Sequence, residues 1–477
     1  MHTIEKIGGT SMSDYSSVRD NIILQGRGSA VFKRVFVVSA YGGITDRLLE
    51  NKKNGRPGIY GLFASGIEDD TWSTKLEDLT SELRKINLGL FGTSELLNEA
   101  NHFLDERIED ARQCLLDLQS LCHHGHFALQ AHLGTVREML ASIGEAHSAW
   151  NTATLLKRDG INALFVDLTG WRTSEHISLD ERIRKAFANI DLSKQLPIVT
   201  GYAHSDKGLM TSFDRGYSEM TFSRLAVITK ASEAIIHKEF HLSSADPRLV
   251  GEDNAVPIGR TNYDVADQLA NLGMEAIHPK AALGLRKNGI PLRVKNTFEP
   301  EHTGTLITGD YISDSPCVEI IAGCKGVYAL IVYDQDMTGS INDYDTAILA
   351  IIKRFKAHIV TKDTNANTLT HFLSANLKTV KRIQAAIEER FPDANLNQQK
   401  VAIVSAIGSD MQIPGILAKA VQAIANKGVS LLAVHQSMRH VDMQFIVHES
   451  DYDATVISLH AALVEIHDHG RAICSAS

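Results

Sequence analysis

Short apolar runs punctuate the first part of the chain: RVFVVSA (Arg34 to Ala40), ALFVDL (Ala163 to Leu168), LPIVTGY (Leu196 to Tyr202) and PLRVKN (Pro291 to Asn296). Each is continuous rather than alternating and ends in small or polar residues, the pattern of a strand buried on both faces whose end opens on a site. Between them, Ser218 to Lys230 and Tyr263 to Leu272 carry helical periodicity. Strand and helix in alternation predict an α/β layered domain. The stretch from about Thr71 to Ile143 is helical nearly throughout and predicts an inserted helical lobe.

Beyond the Pro- and Gly-punctuated NTFEPEHTGTLI (Asn296 to Ile307) the pattern changes. From VYALIVY (Val327 to Tyr333) the order is strand, helix, strand, strand, helix, with Ile348, Ile351, Ile352 and Phe355 on one helix face. The same order restarts at KVAIVSAIG (Lys400 to Gly408), with Leu417, Val421 and Ile424 on a helix that stops near Gly428. This is an internal repeat of about seventy residues per copy, the size of a small α+β module. Modules this small leave sheet edges open, which predicts pairing with one another or with another chain.

Composition narrows the partners. The 477 residues suffice for about three domains. With 44% hydrophobic and 22% charged residues the chain reads as an ordinary globular protein. A formal net charge of -9 argues against nucleic acid, which needs clustered Lys and Arg, and favours a small-molecule partner. The start, MHTIEKIGG, lacks a basic segment followed by an apolar run, and no window is long and uncharged enough for a membrane helix, so a cytoplasmic protein is expected. Cys114, Cys122, Cys317, Cys324 and Cys474 are odd in number and scattered without a CxxC, which argues against disulfides and a thiolate metal site.

Five stations carry candidate chemistry. In KIGGTSM (Lys6 to Met12) a lysine ends a strand and is followed by Gly8, Gly9 and the hydroxyls of Thr10 and Ser11. The glycines let backbone N–H groups approach an anion such as phosphate, or merely relieve a tight turn. The usual phosphate loop places its lysine after the glycines, before Ser or Thr, and no such Gly-Lys-Ser/Thr occurs here. In VVSAYGGITDRL (Val37 to Leu48), Ser39 to Thr45 follow a buried strand, at the sheet edge where open α/β folds bind ligands. Glu145, in SIGEAHSAWN, reads on its own as a solvated helix residue. In TSFDRGYSEMTFSRLAVI (Thr211 to Ile228), Arg215 and Gly216 lead into a helix starting near Ser218, so an arginine fork and backbone amides converge on an anionic group; Glu219 in the first turn also suits the helix dipole. SSADPRLV (Ser243 to Val250) adds Ser243 and Arg248, which touch phosphate or close a loop.

In this order the stations resemble the aspartate kinases, members of the amino-acid kinase fold family. The family's opening Lys-Phe-Gly-Gly-Thr-Ser is matched by Lys6 to Ser11, its Val-Val-Ser-Ala by Val37 to Ala40, its Asp-Pro-Arg by Asp246 to Arg248, and its long run ending in Gly-Thr by His278 to Thr305. The tail resembles the tandem ACT modules that regulate this family. The resemblance implies a three-layer αβα kinase domain with a helical insert over residues 1–310, then ACT modules over 319–395 and 399–470. It implies transfer of the ATP γ-phosphoryl group, with Mg²⁺, to the side-chain carboxylate of L-aspartate, and a homodimer or higher homo-oligomer. By analogy Lys6 neutralises the transferring group, Gly8, Gly9, Thr10 and Ser39 meet the nucleotide, and Glu219 is catalytic. Arg215 grips the α-carboxylate of aspartate, Glu145 receives its ammonium, and Thr45, Gly216, Tyr217 and Ser218 complete the acceptor pocket. An amino-acid effector such as lysine or threonine is expected between the ACT modules, near Asp334 to Asp345. No residues are assigned to a protein-held metal.

The chain also departs from the family. Tyr217 and Glu219 replace Gly and Asp of Arg-Gly-Gly-Ser-Asp. HKEFHLS (His237 to Ser243) and LGME (Leu272 to Glu275) replace segments that normally face the nucleotide, leaving His237, Ser243 and one or more of Lys238, Arg248 and Lys280 as substitute contacts. This divergence resembles the specialised aspartokinases of ectoine biosynthesis. Two alternatives stay open: a catalytically weak amino-acid sensor, and a kinase for glutamate or acetylglutamate. The histidines His123, His124, His126 and His132 lie in the helical insert with no carboxylate or thiolate at ligand spacing, and His467 to His469 read as a solvated helix end.

Overall fold

Burial without alternation is realised in strand β1 (Thr3–Ile7), whose Ile4, Glu5, Lys6 and Ile7 are all shielded from solvent. A computed structural model describes residues 1–25, 28–52, 54–66, 70–124, 126–213, 216–274 and 276–466. The chain divides into one unit of Met1–His241 with Ile277–Gly309 and a second of Leu242–Ala276 with the chain from Asp310 onward.

In the first unit β1 is central. It pairs in parallel with β2 (Arg34–Val38) on one side and β5 (Glu233–Lys238) on the other. Beyond β2 come β4 (Leu196–Thr200) and β3 (Ala163–Val166); beyond β5 come β6 (Leu292–Asn296) and the antiparallel β7 (Thr305–Thr308). The order is thus β3-β4-β2-β1-β5-β6-β7, a doubly wound sheet whose ligand edge is where the parallel strands end.

Helices α1 (Thr71–Phe91) and α2 (Glu95–Cys122) form the expected insert. In α1 the buried Trp72, Leu76, Leu79 and Leu83 recur at helical spacing, and Gly92, at φ 60°, ends the helix. Helix α3 (Leu133–Arg158) is buried nearly all round and packs on β3 and β4. Its His147 and Asn151 share Asn87 of α1 as a hydrogen-bond partner, at 2.6 and 2.9 Å. Helices α4 (Tyr217–Thr229) and α5 (Pro279–Lys287) pack together, α4 lying also against β1.

The second unit is built on a six-stranded sheet. Strands β8 (Ile320–Tyr333), β9 (His358–Asn365), β10 (Thr368–Ser374), β11 (Asn395–Ile407), β12 (Leu431–Gln436) and β13 (Asp442–His448) lie in the order β9-β10-β8-β11-β13-β12. Helices α6 (Ile341–Arg354), α7 (Leu377–Arg390), α8 (Ile416–Ala425) and α9 (Tyr452–Leu463) complete the repeated strand-helix-strand-strand-helix order. The halves are fused through β8 and β11. Val327 to Tyr333 pair with Asn395 to Val401, and after a register shift Ile320 to Cys324 pair with Ile403 to Ile407.

Residues Leu242–Ala276 join this unit through a buried core that includes Ala245, Val250, Val456 and Leu459. Polar bonds fix the attachment. The carbonyl of Ser244 accepts from Ile321 N–H at 2.7 Å, and its hydroxyl lies 2.9 Å from His460 Nε2, whose Nδ1 meets Glu465 at 2.8 Å. Ser244→Ala strands the fully buried His460 nitrogen and is expected to cost about 1–3 kcal/mol of stability. Chemical denaturation measures this, and an unchanged midpoint would show that the serine bears no load.

Candidate active site

Side chains alternate across a strand, so Glu5 and Lys6 leave β1 on opposite faces. Lys6, between Val37 of β2 and Ile236 of β5, points to the face covered by α4. There its Nζ lies 3.5 Å from Oε1 of Glu219, in the first turn of α4. The other Glu219 oxygen accepts a short hydrogen bond from His278 N–H. Burial alone would raise the Glu219 pKa, but the ammonium groups of Lys6 and Lys238 and the His278 N–H hold it below the usual carboxylate range. Glu219 thus favours its ionised form beside Lys6.

A second carboxylate answers to the same ammonium. Glu145, deep in α3, is fully buried, and this desolvation pushes its pKa up to about 8 against the opposing pull of Lys6. Its Oε2 has no hydrogen-bond partner. A Cβ added at Gly201, just past β4, would lie 2.8 Å from that oxygen, from Ser218 Cβ and from the carbonyl of Val38. Gly201 is thus the point where Glu145, Ser218 and the end of β2 converge. Tyr217 closes the group, its ring edge-on to Tyr202 with centroids 5.8 Å apart.

The glycine turn stands beside these residues. Gly8 is the extended N-cap of a short helix, Gly9–Met12, and a Cβ at Gly9 would come within 2.7 Å of the Ala40 carbonyl. Thr10 is exposed, whereas Ser11 is buried against Thr297 and Glu239, at 3.1 and 3.3 Å. The Ser39 carbonyl accepts from Ser148, and Thr45 is half-buried in the helix Ile44–Leu48. Gly216 caps α4 so close to the His278 ring that a Cβ would collide with it. Arg215, Glu275 and His467 to His469 lie outside the described residues.

His237 points away from Lys6. Its Nε2 lies 2.8 Å from Glu5, whose carboxylate is gripped by Arg34 at 2.5 and 2.8 Å; Arg34 also donates to the carbonyls of Ile22 and Ile23. Burial would raise the Glu5 pKa, yet Arg34 and His237 hold it far below the ordinary range. Ser243 and Arg248 belong to the second unit, where the exposed Arg248 forks onto Asp246 at 2.6 and 3.0 Å. Lys280 lies over the Phe213 ring, 4.9 Å from its centroid.

Sequence reasoning missed Glu5, Arg34, Gly201 and His278 as parts of this centre. A buried acid inside β1 and an arginine opening β2 were the available signals for the first two.

The amino acid kinase family model matches residues 1–296, and an ACT domain model matches residues 404–463. The chain belongs to the amino acid kinase family. It is 53% identical, over all of both chains, to the protein named aspartate kinase Ask_Ect of Stutzerimonas stutzeri (strain A1501), and 24% identical to an aspartokinase of Candida albicans over 97% of this chain and 90% of that one. Its fold is that of Escherichia coli aspartokinase III, with TM-score 0.73 and 19% identity over 97% of this chain and 100% of the other. Clostridium acetobutylicum aspartate kinase is similar, with TM-score 0.70 and 18% identity over 97% and 100%. Within the family the chain is an aspartokinase, a phosphotransferase with a carboxyl group as acceptor, which decides for aspartate among the acceptors the motifs left open.

The network beneath the site gives a direct test. Glu5→Gln leaves Arg34 buried without its counter-charge and is expected to cost about 3–5 kcal/mol in urea unfolding. A variant as stable as the parent would show that this ion pair anchors nothing.

Proposed function

We propose that Lys6 and Glu145 divide the work of moving the γ-phosphoryl group of ATP onto the side-chain carboxylate of L-aspartate, giving 4-phospho-L-aspartate. The observation carrying this reading is a buried ammonium placed between an ionised carboxylate, Glu219, and a second carboxyl, Glu145, that has an unpartnered oxygen. The acceptor carboxylate is already ionised near neutral pH and needs no general base. The enzyme's task is to bring two anions together in line and offset their charge. Lys6 offsets charge on the transferring group while Glu219 holds it in place.

Glu145 accepts the substrate's ammonium and Arg215 forks onto its α-carboxylate, with Thr45, Gly216, Tyr217 and Ser218 shaping the pocket. Gly8, Gly9, Thr10 and Ser39 line the phosphate side. Lys238, which bears on Glu219, supplies a further cation on the nucleotide side. Glu219 beside Lys6 and Glu239 beside Gly8 already accept from His278 N–H and the Ser11 hydroxyl. That donor set suits Mg²⁺ carried by the nucleotide rather than caged by protein, and when bound the ion supplies charge neutralisation on the phosphates. E. coli aspartokinase III is described in complex with aspartate and ADP, and in another structure with lysine and aspartate, which supports the same ligand classes here.

The kinase part is assigned to 1–310 and the regulatory modules to 319–395 and 399–470, where an amino-acid effector binds and homodimers form. The 53% identical relative, whose name ends in Ect, supports a place in ectoine supply as well as aspartate-family amino-acid biosynthesis. Among the described residues no helix is long and apolar enough to cross a membrane, in keeping with a cytoplasmic enzyme.

Lys6→Met is expected to lower kcat at least about 100-fold in a hydroxamate assay with ATP and Mg²⁺. Glu145→Gln is expected to raise the KM for aspartate about tenfold while leaving that for ATP within about twofold. Full turnover in the first variant, or an ATP-side defect in the second, would remove these assignments.

A further inference from the structure

A cavity of about 450 Å³ opens in the first unit between helices α2 and α3 and the loops that follow β3 and β4. Its walls include Trp171, Tyr202, Met139 and Cys114, with the carboxylates of Asp110 and Glu138 among them. Glu138 is 7% exposed, and its partners are neutral donors: the Tyr202 hydroxyl at 2.7 Å, Thr211 N–H at 3.0 Å and the Thr211 hydroxyl at 3.4 Å. Among the described residues no cation pairs with it. Of the cations around this space, Arg172 is held by Asp110 at 2.6 and 2.9 Å and reaches Glu106, Arg107 lies over the Trp171 ring, 5.0 Å from its centroid, and is paired with Asp167, and Arg182 donates to the carbonyls of His204 and Glu175. Burial lowers the pKa of His204, which also lines the space, so near neutral pH its ring contributes no positive charge.

A buried carboxylate facing an aromatic-lined space without a counter-ion is a half-built cation site. We propose that this cavity binds a small organic cation, a primary ammonium on an apolar body, with the ammonium on Glu138 and the body against Trp171, Tyr202 and Met139. Its size suits a compact metabolite. The site is separate from the acceptor pocket but linked to it. Glu138 precedes Glu145 by two helical turns on α3, and Tyr202 lies edge-on to Tyr217. Occupancy therefore shifts the wall of the pocket assigned above to aspartate, a consequence that rests on that assignment, whereas binding itself does not.

The full chain is titrated with phenethylammonium and n-butylammonium, with phenylacetate and phenethyl alcohol as anionic and neutral counterparts, following tryptophan fluorescence and melting temperature. Both amines are expected to bind saturably, phenylacetate not at all and the alcohol at least about tenfold more weakly. Glu138→Gln is expected to weaken amine binding by at least about tenfold. Thr135→Trp, which fills the exposed mouth, is expected to abolish it with basal turnover unchanged, and it decides the matter if the Gln variant fails to fold. Saturating amine is expected to change the KM for aspartate at least twofold. No saturable response to either amine, equal binding of phenylacetate, or undiminished binding in Thr135→Trp would overturn the site. Binding with an unmoved KM would overturn its link to the acceptor pocket.

Discussion

The ammonium of Lys6 answers to two buried carboxyl groups at once, and their fates differ. Glu219 gains the His278 N–H and a second cation, Lys238, and stays ionised; Glu145 has Lys6 and hydrogen bonds from Tyr217 and from the backbone at Tyr202 and Ala40 but no second cation, so desolvation keeps it protonated until pH rises to about 8. Two like acids in one pocket thus take distinct electrostatic roles, set by what surrounds each rather than by residue type. One fixes the lysine. The other is left wanting a cation, which is the property a receptor for an amino group needs.

Strand alternation makes this division possible. On β1 it sends Lys6 to one face and Glu5 to the other, and on β5 it does the same for Lys238 and His237. The far-face network of Glu5, Arg34 and His237 ties β1 to β2 and β5, so the strands that carry the chemistry are clamped from behind. The clamp supplies the rigidity that the proposed centre, working through electrostatic preorganisation, requires.

Much of this was legible in the chain. The continuous apolar runs became parallel strands, the long helical stretch became α1 to α3, and the repeated element order in the tail was found as read. Lys6, Glu145, Ser218 and Glu219, scattered from residue 6 to residue 219, lie together in the fold, and in the chain only the resemblance to a family grouped them. What stayed hidden depends on pairing at a distance. Nothing local says that Glu5 will meet residues 34 and 237, or that Gly201 must lack a side chain because Glu145 presses on it. The grouping of Leu242–Ala276 with the second unit was hidden for the same reason, since its helical pattern specifies an apolar face but not the face it meets.

Calorimetry of aspartate binding to the full chain, in buffers of different ionisation enthalpy, tests the pairing of Glu145 with the substrate's amino group most directly. In the ligand-free site the carboxyl titrates at about 8, so at pH 7 it is mostly protonated; an incoming ammonium favours the ionised form and expels the proton. Affinity should then rise with pH up to about 8 and level off above it. Release of roughly 0.9 proton per aspartate at pH 7, falling to about half a proton at pH 8, is expected. Binding at pH 7 with no proton released, or with a proton taken up, would contradict it.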